Sequence, residues 1–316
     1  MTINWSWSST GVEVADEYGE NISGRTFLIT GPSDGGIGAE TALCLASGQP
    51  STIVLAGRDR AKIQPVIDRI SLISPRTNAI FVALDLSDQA SVRDAATEIS
   101  KQVDHIDVLI NNAAIMACPY STTKDNLEVQ FATNFLGPFL FTGLLFPKLR
   151  AAAAGARIVN VSSSAHRFEG IRFDDIDFKS GKLYDTWKAY GQSKTALILM
   201  AIYIAEKVPN NEISAFSVHP GSIASNLQRH VDSESISDAR IKSQNIVDYE
   251  ATKRKSLEQG SATTLIAALD PSLEKYSGSY LSDGQLKRQA DHAYGAENAE
   301  KLWHLGEHLL GQTFEL

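Results

Sequence analysis

The chain lacks the features that would direct it to a nucleic acid, a bilayer or an oxidising compartment. It has no basic tract, and its formal net charge is −8, which disfavours nucleic acid and anionic membrane surfaces as partners. It has two cysteines, Cys44 and Cys118, both in apolar surroundings. They cannot form a disulfide framework and read as buried, reduced thiols. No apolar stretch reaches the length of a bilayer span; the longest, residues 196–205, is about half of one. The first 25 residues are acidic and polar, and no basic segment is followed by an apolar run. No signal peptide is read, and a soluble, cytoplasmic protein is expected. Low-complexity linkers and internal repeats are also missing, so 316 residues imply one large domain.

What the chain does have is strands alternating with helices. After an N-terminal extension, residues 1–24, apolar β-rich runs are expected at 25–30, 52–56, 79–84, 107–110, 157–161, 213–218 and 279–282. Helical patterns at 38–47, 60–72 and 88–102 separate the early strands. Near-continuous apolar strands are those covered by helices on both faces. The alternation predicts an α/β fold with a doubly wound parallel sheet of about seven strands over residues 25–316. Ligands of such sheets bind beyond the carboxyl ends of the strands. The polar segment 222–256 is expected to cap that site with a loop and short helices.

Between the first strand and the first helix stands Thr30-Gly31-Pro32-Ser33-Asp34-Gly35-Gly36-Ile37-Gly38. Glycines let the backbone turn tightly and approach a pyrophosphate, which the following helix N-terminus stabilises. Where an acid at the end of the second strand would select NAD, this chain has Gly57 and then Arg58. Arginine there can pair with a 2′-phosphate and favours NADP over NAD. Asp34 argues the other way, because its charge would repel that phosphate.

Five of the nine tyrosines have a lysine four residues later: Tyr120/Lys124, Tyr184/Lys188, Tyr190/Lys194, Tyr203/Lys207 and Tyr249/Lys253. On a helix such a pair shares one face, so the ammonium can depress the phenol pKa and make the tyrosine a usable acid or base. Spacing alone does not choose among them. Tyr203 lies 13 residues after Tyr190, on roughly the opposite face of the same helical run at about 100° per residue. It is expected to pack.

The glycine turn, Asn111-Asn112-Ala113-Ala114, the run from Arg157 to His166, and Ser217-Val218-His219-Pro220-Gly221 together resemble the short-chain dehydrogenase/reductase family. The retinol dehydrogenase-like branch is nearest, with fungal members, some in secondary metabolism, closest in style. The resemblance covers about Gly24 to the C-terminus. The glycine turn is one residue longer than the family pattern, and alanine replaces glycine at the end of the Asn-Asn-Ala motif. Unlike many retinol dehydrogenases, the chain shows no N-terminal anchor sequence.

What the resemblance implies is an NADP(H)-dependent oxidoreductase acting on a carbonyl or alcohol of a lipophilic small molecule. Tyr190 and Lys194 match the family's Tyr-x-x-x-Lys, with Ser163 holding the substrate oxygen and Asn134 as the fourth catalytic residue. Ser162 and Ser164 are rivals to Ser163 on sequence alone. Gly31, Ser33, Gly36, Ile37, Gly38, Arg58, Asp85, Leu86, Asn112, Ala113, Pro220, Gly221 and Ile223 belong to the implied cofactor site, together with Tyr190 and Lys194. Pro138 has no N–H for the Asn134 carbonyl, which is expected to hold a water that links Lys194 to solvent. Many relatives form homodimers through the helices that carry Asn134 and Tyr190. His166 and His219 flank the region, but two histidines without a third ligand do not argue a metal. The long segment between Ser163 and Tyr190 carries Phe168, Phe173, Phe178, Tyr184 and Trp187, either as an apolar pocket wall or to pin the segment to the core. Two alternatives stand beside the main reading. One is alkene reduction or dehydration on the same scaffold. The other is a non-catalytic NADP-binding sensor, which would have no need of all four catalytic residue types.

Overall fold

The first strand, β1 (Thr26–Thr30), is buried at every position, as a strand must be when helices cover both faces of its sheet. The computed structural model describes residues 4–153, 155–225, 227–228, 231–244, 246 and 253–316. β2 (Thr52–Gly57), β3 (Asn78–Ala83), β4 (Val108–Asn111), β5 (Ala156–Val161) and β6 (Ile213–His219) follow within about a residue of the expected bounds. They pair in parallel in the order β3-β2-β1-β4-β5-β6. The doubly wound sheet is therefore observed, and its strand order reverses between β1 and β4, where such sheets bind their ligands.

Two short N-terminal helices, α1 (Gly11–Glu17) and α2 (Gly19–Ile22), precede the sheet. Helices α3 (Ile37–Ser47) and α4 (Arg60–Ile73) cover one face. The other face carries α5 (Gln89–Gln102), the short α6 (Val129–Phe131), α7 (Gly137–Arg150) and α8 (Thr186–Lys207). Aspartates start three of them: Asp59, Asp88 and Asp185 accept hydrogen bonds from the first-turn N–H groups of α4, α5 and α8. The continuous helical segment Val129–Arg150 is long and apolar enough to cross a bilayer, a length that the sequence reading had not found. It is 83% buried, so its composition is that of a core helix.

The sheet has eight strands, one more than expected. β7 (Ser222–Ile223) and β8 (Arg254–Lys255) form a separate small parallel pair that brings the two ends of the polar segment together. Helix α9 (Ser233–Gln244) lies between them. α10 (Leu257–Leu269) returns to the α3 face, its start capped by Ser256 and Gln259. β9 (Tyr280–Ser282) then joins the main sheet beside β6. The extra strand, β10 (Gln285–Lys287), is antiparallel to it. Asp283 and Gly284 between them have φ of 53° and 72°, the two positive angles that close a tight hairpin.

Both ends of the chain are built into the body. The N-terminal extension packs Val14 against the α3/α10 layer, and the Gln285 side chain donates to the Trp5 carbonyl at 2.6 Å. At the other end, α11 (Ala296–Leu310) lies across α7 and α8. Trp303 stacks on Tyr203 at 4.5 Å between ring centroids and meets Phe139 edge-on at 4.6 Å. The Phe314 ring fills the space at Gly143, where a Cβ would fall 2.4 Å from it. The C-terminal segment therefore covers α7 and α8 at Phe139, Gly143 and Tyr203. Trp303→Ala is expected to cost about 3–5 kcal/mol in a urea melt, because the cavity opens between two aromatic neighbours, Tyr203 and Phe139. A loss below about 1 kcal/mol would show that this packing does not close the fold.

Candidate active site

The glycine turn and the end of β4 interlock. Gly31 has φ +68°, and a Cβ on it would lie 2.8 Å from Ala113. A Cβ on Gly38 would lie 2.5 Å from the Asn112 amide nitrogen. The Asn112 amide in turn donates to the Thr30 and Gly31 carbonyls at 2.8 and 3.2 Å. The Thr30 hydroxyl accepts from both Asn112 N–H and Ala113 N–H at 3.0 Å. The extra residue in the turn is absorbed locally: Gly35 has φ +74°, and Gly36 N–H donates to the Ser33 carbonyl at 3.1 Å. α3 then starts at Ile37 with no side-chain cap, so its N-terminal N–H groups lie at the turn without one.

Beyond the carboxyl ends of β2 and β3 lies a cavity of about 310 Å³, with Arg58, Ser87, Ile115, Val129 and Thr133 in its wall. The Thr133 hydroxyl is buried there with no hydrogen-bond partner among the described residues. Asp34 is ion-paired with Arg69 of α4 at 3.1 Å, so the charge that argued against a 2′-phosphate is compensated. Asp85 accepts from the Ser87 N–H and hydroxyl, at 3.0 and 2.6 Å. Leu86 is buried in the core beneath α7, with its carbonyl packed against Gly137.

Tyr190 and Lys194 share one face of α8, with the ammonium 5.6 Å from the phenol ring centroid. Both are almost fully buried. Burial raises the Tyr190 phenol above its ordinary value of 10.0, and a hydrogen bond from Ser163 partly offsets this. Burial lowers Lys194 from 10.5 to about 7, and its Nζ donates to the Val161 carbonyl at 2.8 Å. The expected depression of the phenol by the lysine is not found. With both groups out of water, each charged form is disfavoured, and desolvation outweighs their attraction.

The three serines separate by partner. Ser162 donates to the Lys194 carbonyl at 2.8 Å and pins β5 to α8. Ser163 alone faces the phenol, while its hydroxyl also accepts from Ala165 N–H at 3.1 Å. The Ser164 N–H donates to His219 Nδ1 at 3.2 Å. Asn134 sits in a π-turn, Ala132–Leu136, directly before Gly137-Pro138, the widened turn expected where a proline withdraws its N–H. Its amide grips both backbone groups of Ile115 at 2.9 Å and donates to Ser193 of α8 at 3.0 Å.

An apolar shell surrounds the phenol. Met116, Ala117, Ala165 and Trp187 pack with Tyr190, and Phe168, Leu227, Val231 and Ala239 close over them. The loop aromatics thus divide. Phe168 and Trp187 face the site. Phe178 is buried under Tyr184 and Arg172, and Phe173 packs on the core. The polar segment is fastened across this shell. Trp187 donates to the Ser235 carbonyl at 2.9 Å, Lys242 pairs with Asp185 at 2.9 Å, and Lys255 pairs with Asp283 at 2.6 Å. The Trp187 latch was not foreseen; a tryptophan three residues before Tyr190 was its only sequence signal.

The other Tyr/Lys pairs lie elsewhere. Tyr203 packs on Trp303, Tyr184 hydrogen-bonds Glu128, Gln130 and the Cys118 carbonyl, and Lys124 pairs with Asp88. Tyr249 falls outside the described residues. A larger cavity, about 550 Å³, lies at the far end of α8 beside Ile202, Tyr280 and Tyr294 and contains none of the site residues.

Comparison with known proteins points the same way. The family described as short chain dehydrogenase matches residues 25–174. Short-chain dehydrogenase/reductase prx1 of Penicillium roqueforti is 36% identical, over 92% of this chain and 86% of its own length. Mouse retinol dehydrogenase 13 is 34% identical, over 92% of this chain and 85% of its own length. A solved structure of a protein from Mycobacterium paratuberculosis, 30% identical, aligns with a TM-score of 0.70 over 93% of this chain and 96% of that one.

Proposed function

The chain belongs to the short-chain dehydrogenase family, in its retinol dehydrogenase-like branch, and from that premise we propose that it moves a hydride between NADP(H) and the carbonyl or alcohol group of a lipophilic small molecule. The observation that carries this reading is a buried phenol touched by one serine hydroxyl, with a buried lysine beside it and an apolar shell around it. A bound nicotinamide would supply or accept the hydride.

The chain's own residues do the rest. In carbonyl reduction, Tyr190 gives its proton to the substrate oxygen, and the Ser163 hydroxyl holds that oxygen by a hydrogen bond. The raised phenol pKa keeps Tyr190 protonated across the neutral range, so the proton is there to give. As the phenolate forms, Lys194 becomes the counter-charge, at a low-dielectric distance where its positive form is strongly favoured. The Asn134 carbonyl, without the Pro138 N–H, holds a water that links Lys194 to solvent, while the Asn134 amide keeps the Ile115 segment in place. The Met116, Trp187, Phe168 and Leu227 surface takes the apolar body of the substrate. Leu227, Val231 and Ala239 cap it, held by the Trp187 and Lys242 latches. Because relatives carry the name retinol dehydrogenase, retinal is among the compounds to be tried.

The cofactor would occupy the glycine turn and the 310 Å³ cavity. The N-terminal N–H groups of α3 would hold the pyrophosphate, the Thr133 hydroxyl, without a partner among the described residues, would reach an acceptor, and Arg58 at the cavity wall would pair with the 2′-phosphate. Two measurements test the reading. A screen of nonanal, retinal and hydrophobic ring ketones, followed by NADPH absorbance, is expected to find turnover; none on any of them would count against an alcohol–carbonyl enzyme. Arg58→Ala is expected to weaken NADPH binding by about ten- to a hundredfold and to leave NADH binding within about twofold. Tighter binding of NADH than NADPH by the unaltered protein would overturn the cofactor assignment.

A further inference from the structure

Two histidines that take no part in the proposed proton transfer hold opposite ends of one peptide bond. His166 Nδ1 lies 2.6 Å from the Ser163 carbonyl oxygen, and its Nε2 accepts from the Ala290 N–H at 3.1 Å. A ring nitrogen that accepts carries no proton, so the His166 proton is on Nδ1 and is donated to Ser163. On the other side, His219 Nδ1 accepts from the Ser164 N–H at 3.2 Å, which places its proton on Nε2. The Ser163 carbonyl and the Ser164 N–H belong to the same planar unit. Gripping both ends fixes the rotation of that plane. It therefore fixes ψ of Ser163, which stands at 157°, and the direction in which its hydroxyl leaves the backbone.

The contacts that keep this arrangement are at His166; His219 Nε2 is buried with no hydrogen-bond partner among the described residues. The His292 ring lies 2.7 Å from the His166 carbonyl, tying the same turn to the C-terminal segment, and Tyr280 meets the His166 ring edge-on at 5.0 Å. Arg167, His292 and His219 bear on His166; Lys255, Asp283 and Arg167 bear on His219. Burial brings His166 down to about 3 and His219 to about 4, so both rings stay neutral throughout the neutral range. A proton on either ring would set two donors face to face, against Ala290 N–H in one case and Ser164 N–H in the other.

We infer that His166 and His219 are positioning residues: two neutral imidazoles of opposite tautomer clamp the Ser163–Ser164 peptide and hold the Ser163 hydroxyl on the Tyr190 phenol. The inference rests on the reading of Ser163 as the group that binds the substrate oxygen. Asparagine places an amide where histidine Nδ1 stands, so it can keep either grip while discarding the ring. With nonanal and NADPH, His219→Ala and His166→Ala are expected to lose about ten- to a hundredfold in kcat, with KM for NADPH changed less than about twofold. His219→Asn and His166→Asn should recover to within about threefold of the parent. A merely structural role would make asparagine fail with alanine, and the losses would follow the fall in Tm. Ring-nitrogen NMR of the unaltered protein tests the clamp without turnover. Nδ1–H on His166 and Nε2–H on His219 are expected, and the opposite tautomer or an imidazolium at pH 7 overturns the inference. Ser163→Ala separates the two failures. If it keeps full turnover, the reading of Ser163 is wrong; if it abolishes turnover while both histidine→alanine variants keep theirs, the clamp alone is wrong.

Discussion

Tyr190→Phe is expected to cut turnover about a thousandfold while leaving the fold intact. The phenol is buried, so phenylalanine fills the same space and no cavity opens. What disappears is one hydroxyl, with its bond to Ser163 and the proton it would transfer. The folded state should lose no more than about 1 kcal/mol. NADPH binding, measured by fluorescence, should stay within about threefold, because the cavity by Arg58 and the glycine turn are untouched. Turnover within threefold of the parent on every substrate found would remove Tyr190 from the chemistry. The packing tyrosine serves as a control. Tyr203→Phe keeps its stack on Trp303 and should leave the chemical step alone.

Lys194→Met should abolish activity and stabilise the protein. The lysine is buried, and its pKa falls from 10.5 in the unfolded chain to about 7. Between those values the unfolded state binds more protons than the folded state, so stability rises with pH across that window and is lowest below it. A shift of this size corresponds to roughly 5 kcal/mol at low pH. Methionine removes that cost, loses the bond to the Val161 carbonyl worth about 1 kcal/mol, and should gain about 3–4 kcal/mol near pH 6. The gain should vanish above pH 10.5, where the unfolded lysine is neutral too. Activity carries the opposite sign. The charged ammonium favours the phenolate left by proton donation, so kcat/KM for reduction should fall as pH rises through about 7 in the unaltered protein. A variant that is less stable than the parent at pH 6 would show that the lysine is not held at a desolvation cost.

The sheet was legible because buried parallel strands are written as apolar runs, and seven of them, β9 included, appear within about a residue of where their composition put them. The strand that escaped, β10, has three exposed residues and no apolar pattern. Its signal was the Asp283-Gly284 pair, which specifies the hairpin on its own. Motif and neighbour together carried the site: Tyr190, Lys194, Ser163 and Asn134 do converge. Three other matters needed coordinates. The roles of Ser162, Ser163 and Ser164 differ only by backbone rotation. The charge on Asp34 is compensated by Arg69, 35 positions away in sequence. The pKa of the Tyr190 phenol depends on burial, which spacing does not encode, and there the spacing argument gave the wrong direction.

The tie between Trp5 and Gln285 spans 280 positions, and α1 rests on a layer that includes α10. A ribosome delivers the first of these segments long before the second. For most of its synthesis the chain carries Trp5 and Val14 without the α10 layer that completes their cover, and an apolar α7 without the α11 lid. Such a fold closes in one late step, when residues 257–310 emerge, and until then its largest sticky surfaces are open to other nascent chains. Yield in a cell should therefore depend more on how quickly the last fifth of the chain is made than on the stability of the finished molecule.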